Sequence, residues 1–379
     1  MNFDLSENEE MLKALAERFV LDRYDLDRKR AYQQNTVGFS SENWALLAEI
    51  GLIAAPLPEV CGGLDVDGTS IAVLFEALGR GLVVEPLVEN VVLAGRLLAE
   101  TAAGSADMES WLAAIATGER RVALAHAEQQ GRGGRTWVET RISVNDTDQA
   151  NAGVVLNGAK NCVPSGAAVD GFIVSARRNG TATDKTGIEL WLVPADAEGL
   201  EIRPWRLVDG SVAVSLNLTN VCLPNAYRLA GGLPEIERAQ AVAQLARAAE
   251  ALGVMERMLE ETAEYLRTRE QFGVRLSSFQ ALQHRMVAQY MVKEQVRGLL
   301  DRAVVAWATP EFARDVAGVT AFIASAGLKF GHEMIQFHGG MGVTEELAIG
   351  HAHKKLMMLT RWPHSPEVSM ERYSALLAA

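Results

Sequence analysis

From residue 6 to about 118 the apolar positions recur at helical spacing. Met11, Leu12, Leu15 and Phe19 stand on one stripe, with Ser6 and Glu9 placed as a capping box ahead of it. A second helix is predicted over 41–51, ending at a glycine suited to a C-cap. Pro56-Leu57-Pro58-Glu59-Val60-Cys61-Gly62-Gly63 reads as a turn, and further helices are predicted over about 70–79 and 89–101. Near Arg120 the period changes. Residues 121–127, 137–144 and 190–194 read as strands, and over 211–219 every second residue is apolar, the mark of a half-buried strand. Glycines, Asn-Gly pairs and an Asp-rich connection separate these runs, as in an antiparallel sheet or barrel that ends near Pro224. From about Leu233 long helices return. Val242, Leu245, Ala249, Leu252, Met255, Leu259, Ala263 and Leu266 form one stripe, and Phe312, Val316, Val319, Ile323, Ala326, Phe330 and Met334 form another. Such stripes predict a helical bundle. The pattern gives an α+β chain in three parts: a helical domain over 1–118, a β domain over 119–230 and a helical bundle over 231–379.

Composition narrows the partners. Among 379 residues, Lys+Arg number 36 against 48 Asp+Glu, a net charge of −12, which speaks against nucleic acid or an anionic membrane as the main partner. A local cluster of donors for an anionic small molecule remains compatible with this balance. Cys61, Cys162 and Cys222 are widely spaced with no CxxC pair, so neither a zinc knuckle nor a disulfide framework is expected. The first residues lack a basic and then apolar leader, and no apolar run reaches membrane-spanning length. A cytoplasmic protein is the expectation.

Two segments carry candidate chemistry. Gln336-Phe337-His338-Gly339-Gly340-Met341-Gly342 follows a long helix, and consecutive glycines let backbone N–H groups approach an anion. A simple helix C-cap would read the same. Arg267-Thr268-Arg269-Glu270-Gln271-Phe272-Gly273-Val274-Arg275 sits between two long helices and leads to Phe279-Gln280. Its arginines suit a pyrophosphate, or alternatively the negative end of a helix dipole.

Together these segments resemble the acyl-CoA dehydrogenase family, over about residues 44–356. In the first domain the resemblance rests on Trp44-Ala45-Leu46-Leu47-Ala48-Glu49-Ile50-Gly51-Leu52, Pro58-Glu59-Val60-Cys61-Gly62-Gly63 and Glu76-Ala77-Leu78-Gly79-Arg80. In the last it rests on Arg269-Glu270-Gln271-Phe272-Gly273, Phe279-Gln280 and the run from Gln336 to Glu346. It implies an N-terminal helical domain, a middle antiparallel β domain and a C-terminal four-helix bundle. It also implies FAD-dependent α,β-dehydrogenation of an acyl-CoA thioester. By the same resemblance Arg269, Gln271, Phe272, Phe279, Gln280, Gln336, Gly339 and Gly340 contact the FAD pyrophosphate and adenine across a subunit interface.

The chain departs from that family where the proton acceptor belongs. The usual glutamate after the Gly-rich motif falls nearest Pro363, within Thr360-Arg361-Trp362-Pro363-His364-Ser365, and the alternative position in the first helix of the last domain falls on Ala243. Neither side chain accepts a proton, so no catalytic residue is assigned. The middle domain carries Ala125-His126-Ala127-Glu128 and Lys160-Asn161-Cys162-Val163-Pro164-Ser165 where relatives carry Thr-Glu-Pro and a flavin-stacking Trp-Ile-Thr. These departures, with Glu250-Ala251-Leu252-Gly253 and Leu347-Ala348-Ile349-Gly350-His351, resemble the base-lacking small subunits of heteromeric acyl-CoA dehydrogenases, such as that of pimeloyl-CoA dehydrogenase.

The resemblance therefore implies a heterotetramer with a larger, base-supplying subunit, acting in fatty acid or steroid side-chain degradation with electron-transfer flavoprotein as acceptor. Two alternatives stand beside it: a homotetramer with a relocated base, for which Glu250 and Glu367 are the candidates, and a flavin-free structural subunit. The histidines, including His351-Ala352-His353, show no metal-ligand spacing and are expected to be structural.

Overall fold

The computed structural model describes residues 4–102, 106–131, 136–145 and 153–378. The first three residues of the start read for a leader, and the Asp-rich connection at 146–150, lie outside these. In chain order come α1 (Glu7–Arg23), α2 (Leu26–Gln34), α3 (Ser41–Glu49), α4 (Gly68–Gly81), a π-helix (Leu87–Gly95), α5 (Arg96–Thr101) and α6 (Ala106–Ala116). The strands follow: β1 (Val122–Ala125), β2 (Arg141–Asn145), β3 (Gly153–Pro164), β4 (Gly171–Arg177), β5 (Ile188–Pro194), β6 (Leu200–Arg206), β7 (Val212–Pro224) and β8 (Arg228–Leu229). The last part holds α7 (Leu233–Thr268), a hairpin of β9 (Glu270–Gln271) and β10 (Val274–Arg275), then α8 (Gln280–Val305), α9 (Phe312–His338), α10 (Ala348–Leu359) and α11 (Pro366–Leu377). Among the described residues no helix is long and apolar enough to cross a membrane.

By internal packing the chain forms two compact units. One comprises the chain up to Ala31, Asp67–Val83 and everything from Gln244 on; the other comprises Tyr32–Val66 and Val84–Ala243. In the first, α1 opens with the predicted capping box: Ser6 N–H donates to Glu9 Oε2 (2.6 Å) and Glu9 N–H to Ser6 Oγ (3.4 Å). The run Glu76–Arg80 owes its residue types to a helix crossing. Glu76 pairs with Arg297 of α8 (2.8 Å), and Arg80 pairs with Glu256 (3.1 Å) and Glu260 (2.7 Å) of α7. Between these ion pairs the backbones of α4 and α7 nearly touch. A Cβ at Gly79 would lie 2.2 Å from the carbonyl oxygen of Glu250, and one at Gly253 would lie 2.1 Å from that of Glu76. Gly253→Ala gains about 1 kcal/mol of helix propensity, but its methyl meets backbone that cannot yield. We expect the clash to win, with a net loss of about 2 kcal/mol or more. It should appear as a lower urea midpoint at unchanged m-value.

The second unit is built on one sheet in the order β6-β7-β3-β2-β4-β5-β8, with β1 also on β4. Buried Ala213 breaks the alternation expected over 211–219, but from Val214 on it holds along β7: Val214, Leu216 and Leu218 are buried while Asn217 and Thr219 are exposed. They join Phe172, Val174 and Trp191 in the core. The sheet is antiparallel as expected, except that β1 and the end of β2 run parallel to β4. Long connections separate those strands, and a parallel partner needs such a crossover. The helix predicted over 89–101 is an α-helix only at its end; Leu87–Gly95 winds as a π-helix. Periodicity near 3.6 cannot register one extra residue per turn. Trp44 donates its indole N–H to Gly118 O (2.9 Å), which accounts for the tryptophan in the first motif.

Candidate active site

The arginine-rich segment forms a hairpin between α7 and α8. Its two-residue turn is Phe272-Gly273, with φ of +56° and +78°, the type I′ geometry. Glycine adopts this freely. Phenylalanine does not, and Phe272 is 92% exposed at the tip, edge-on to Phe279 at 6.3 Å. Arg269 is clamped by its backbone: its N–H donates to Tyr265 O (2.9 Å) and its carbonyl accepts from Leu276 N–H (2.9 Å). Its side chain and those of Gln271 and Gln280 are exposed.

The Gly-rich turn is tied to the end of α7. His338 stacks on Tyr265 (centroids 4.4 Å), and Tyr265 Oη donates to His338 O (3.5 Å). Gly339 then takes φ +57°, ψ −140°, a conformation essentially reserved to glycine. A Cβ at Gly339 or Gly340 would meet nothing within 4 Å, and Gln336 is exposed beside them. The structure thus sets Arg269, Gln271 and Phe272 on one hairpin, Phe279 and Gln280 at the start of α8, and Gln336, Gly339 and Gly340 at the end of α9. The stack of Tyr265 on His338 brings the ends of α7 and α9 together. A guanidinium, three side-chain amides, an open glycine turn whose Gly339 N–H caps α9 on Gln336 O, and an exposed ring make a set suited to phosphate beside an aromatic base.

In the other unit, Lys160 is 1% exposed and donates to Glu128 Oε1 (2.7 Å), Ser175 Oγ (3.1 Å) and His126 O (3.3 Å). Glu128 also accepts from Thr140 Oγ1 (2.7 Å) and Glu139 N–H (2.5 Å), and His126 Nδ1 lies 2.8 Å from Ser175 Oγ. Burial outweighs the attraction of Glu128 and brings the Lys160 ammonium down to about 8. Although burial opposes it, Lys160 together with the N–H and O–H donors holds the Glu128 carboxyl below its usual range. Just beyond, β3 shifts register against β7 and Cys162 takes φ +56°. Burial, assisted by Glu89, pushes the Cys162 thiol up to about 11, so it stays protonated and is no nucleophile at neutral pH.

Of the two positions expected to carry a base, Ala243 is on α7 and Pro363 is between α10 and α11. Ala243 is fully buried and Pro363 follows a cis Trp362–Pro363 bond. Their neighbours in sequence, Gln244 and Trp362, line a small cleft with Arg247, Ala248, Thr320, Ile323 and Leu359, with room for about one water. Gln244 Oε1 accepts from Arg372 Nη1 (3.2 Å), and a guanidinium only donates, so the other end of the amide is its NH₂. That Nε2 and the Trp362 Nε1 are buried donors with no acceptor. Each such orphan costs about 1–3 kcal/mol. Glu250 pairs with Lys355 (2.7 Å), and Glu367 is exposed in the first turn of α11, its carboxyl held low by Ser365.

Comparison with known proteins matches the acyl-CoA dehydrogenase N-terminal domain to residues 6–119, the middle domain to 123–221 and the C-terminal domain to 230–372. Acyl-CoA dehydrogenase FadE27 of Mycobacterium tuberculosis is 30% identical over 357 residues, 90% of each chain. This chain belongs to the acyl-CoA dehydrogenase family. Among solved structures it is similar to a variant of the Tcur3481-Tcur3483 steroid ACAD, with 30% identity, a TM-score of 0.85 and 98% of each chain covered. It is also similar to the ChsE4-ChsE5 complex from Mycobacterium tuberculosis, with 26% identity, a TM-score of 0.87 and coverage of 100% and 99%.

As in acyl-CoA dehydrogenases generally, the cofactor is FAD. The donor set of the corner fits the phosphates and adenine, and the open space around Gly339 and Gly340 leaves room for a group to lie against the backbone. Around Lys160 no flavin-stacking tryptophan is present among the described residues. A buried ion pair and a bulge occupy that stretch instead. Among the described residues no group of three or more His, Cys, Asp or Glu is placed to hold a metal ion. His351 lies 3.1 Å from Glu345, and His353 stands edge-on to His332 at 5.0 Å. Sequence reasoning missed the Lys160–Glu128 pair and the orphan donors of Gln244 and Trp362. Positions 128 and 160 are too far apart for any local signal, and the cleft is assembled from separate segments of the chain.

Proposed function

We propose that this acyl-CoA dehydrogenase is the subunit of a heteromeric complex that leaves the base to a larger partner. The carrying observation is the absence of an available carboxylate where one is needed: Pro363 and buried Ala243 occupy the two base positions, and Glu250 is held by Lys355. The ion pair also counts against a homotetramer with a relocated base. The likeness to a Tcur3481-Tcur3483 steroid ACAD and to a ChsE4-ChsE5 complex supports the heteromeric reading and points to steroid side chains ahead of simple fatty acids. Domain borders near 118 and 230 belong to the same proposal, as do a heterotetramer, electron-transfer flavoprotein as acceptor and a cytoplasmic location, the last in keeping with the free thiols of Cys61, Cys162 and Cys222.

In this reading Arg269 and Gln271 hold the FAD pyrophosphate, Phe272 and Phe279 cover the adenine, Gln280 and Gln336 supply further donors, and Gly339 and Gly340 leave room for the cofactor against the backbone. Bound FAD would supply a hydride acceptor for the β-hydrogen of the acyl-CoA. This chain grips and orients the cofactor, and the proton at the α-carbon is left to the partner's carboxylate.

The test is co-expression with a relative that carries glutamate at the usual position. The two chains should co-purify with flavin bound, and independent elution of the two chains would sink the proposal. In the complex, Arg269→Ala should weaken FAD retention by about ten- to a hundredfold, the worth of a charged hydrogen bond. Unchanged flavin content would remove Arg269 from the phosphate site.

A further inference from the structure

Hydrogen bonds around Lys160 dictate where each proton sits. The Lys160 ammonium has three N–H bonds and three acceptors: Glu128 Oε1 (2.7 Å), Ser175 Oγ (3.1 Å) and His126 O (3.3 Å). Ser175 Oγ therefore accepts from the lysine, and its single hydrogen goes to its other neighbour, His126 Nδ1, at 2.8 Å. A ring nitrogen that accepts carries no hydrogen, so the neutral imidazole holds its own on Nε2. A protonated imidazole would point Nδ1–H at the same oxygen, strand the buried hydroxyl hydrogen and set a second cation beside Lys160. Besides Glu128, the charged group that acts on the ammonium is Arg177 of β4. It only donates, and it directs its guanidinium at backbone carbonyls, Val138 O (3.0 Å) and Thr186 O (2.8 Å) among them.

We propose that Lys160, Ser175 and His126 form a two-state proton relay, in which the charge on the lysine decides which ring nitrogen of His126 carries the hydrogen. A neutral Lys160 has two N–H bonds and a lone pair. Turned toward Glu128 or the His126 carbonyl, that lone pair would meet another acceptor. Ser175 is the neighbour able to donate to it, so the hydroxyl reverses and its Oγ then accepts from His126 Nδ1–H. In the step, the lysine proton passes to Ser175 Oγ, the hydroxyl proton passes to Nδ1, and Nε2 releases its own. One proton leaves, and no electrons change hands. Lys160 is 1% exposed and Ser175 is fully buried, whereas His126 is half-buried, so the ring is the most exposed member of the chain of donors. Its far nitrogen, Nε2, is a donor while Lys160 is charged and an acceptor once Lys160 is neutral. The relay goes beyond the subunit reading and needs neither the partner nor FAD, so either one can fail alone.

The test reads the ring nitrogens directly. In the full-length chain with ¹⁵N-labelled histidine, two-bond ¹H–¹⁵N correlations distinguish the two tautomers, and His126→Gln assigns the resonances among the 7 histidines. Near neutral pH the Nε2–H form should exceed the other by about tenfold or more, the worth of one hydrogen bond. As pH rises through the Lys160 value of about 8, the pattern should reverse to Nδ1–H. Ser175→Ala, which removes one oxygen from the middle of the relay, should abolish the reversal, and Lys160→Met should do the same. The pH series on the unsubstituted chain decides the matter even where a variant fails to fold. An Nδ1–H ring at neutral pH, a tautomer unmoved up to the ordinary lysine range, or a reversal that persists in Ser175→Ala would overturn the relay.

Discussion

Acyl-CoA turnover by the reconstituted pair is expected to exceed that of this chain alone by about 10²–10⁴-fold, the usual contribution of a positioned general base. Reach and availability set this difference. Loss of the α-proton needs an acceptor within hydrogen-bond distance, and proline and buried alanine stand at the two positions that would provide it. Glu250 lies seven residues along α7 from Ala243, near the same face, yet its carboxylate is engaged by Lys355 at 2.7 Å. Glu250→Gln in the complex should therefore loosen that pairing and lower thermal stability while leaving turnover unchanged. Should the lone chain turn over acyl-CoA as fast as the pair, or should Glu250→Gln abolish the activity, the assignment of the base to a partner fails.

The second large effect lies in the β unit. Glu128→Gln is expected to cost about 3–5 kcal/mol, because removing one member of a buried ion pair strands the other. Lys160 keeps Ser175 Oγ and His126 O as acceptors but loses its countercharge. With the Lys160 ammonium already brought down to about 8, its proton is the weaker link. Losing Glu128 lowers it further, so neutral lysine softens the cost toward the lower end of that range.

The linkage has a definite sign. Below about 8, folded and unfolded chains both carry the Lys160 proton and stability does not depend on pH through this group. Between about 8 and the ordinary lysine range the unfolded chain binds more protons, so this contribution rises with pH. Glu128 acts at the other end: its folded value is depressed, so its stabilisation is present above the ordinary carboxylate range and is lost as pH falls through the folded value. Urea midpoints from about pH 6 to 9 should show the alkaline rise in the wild type and its absence in Lys160→Met. A loss below about 1 kcal/mol in Glu128→Gln near neutral pH would mean that the pair is solvated, as surface pairs are.

What the sequence determined by itself is whatever acts over a few residues. Period 3.6 and then period 2 marked the helical, β and helical blocks, because a helix or a half-buried strand must show one apolar side to its core. The Ser6–Glu9 capping box and the exposed and buried alternation along β7 were legible for the same reason. So was the placement of Arg269, Gln271, Phe279 and Gln280 where one long helix ends and the next begins. Tertiary structure alone decided the rest. It set Phe272 in a left-handed turn at an exposed tip, joined Glu128 to Lys160, gave Glu250 to Lys355, and left Gln244 and Trp362 with buried donors that lack acceptors. Each of these depends on which distant side chain a polar group meets once water is excluded. Local spacing holds no information about that meeting, since the partners are brought together by packing between elements far apart in the chain.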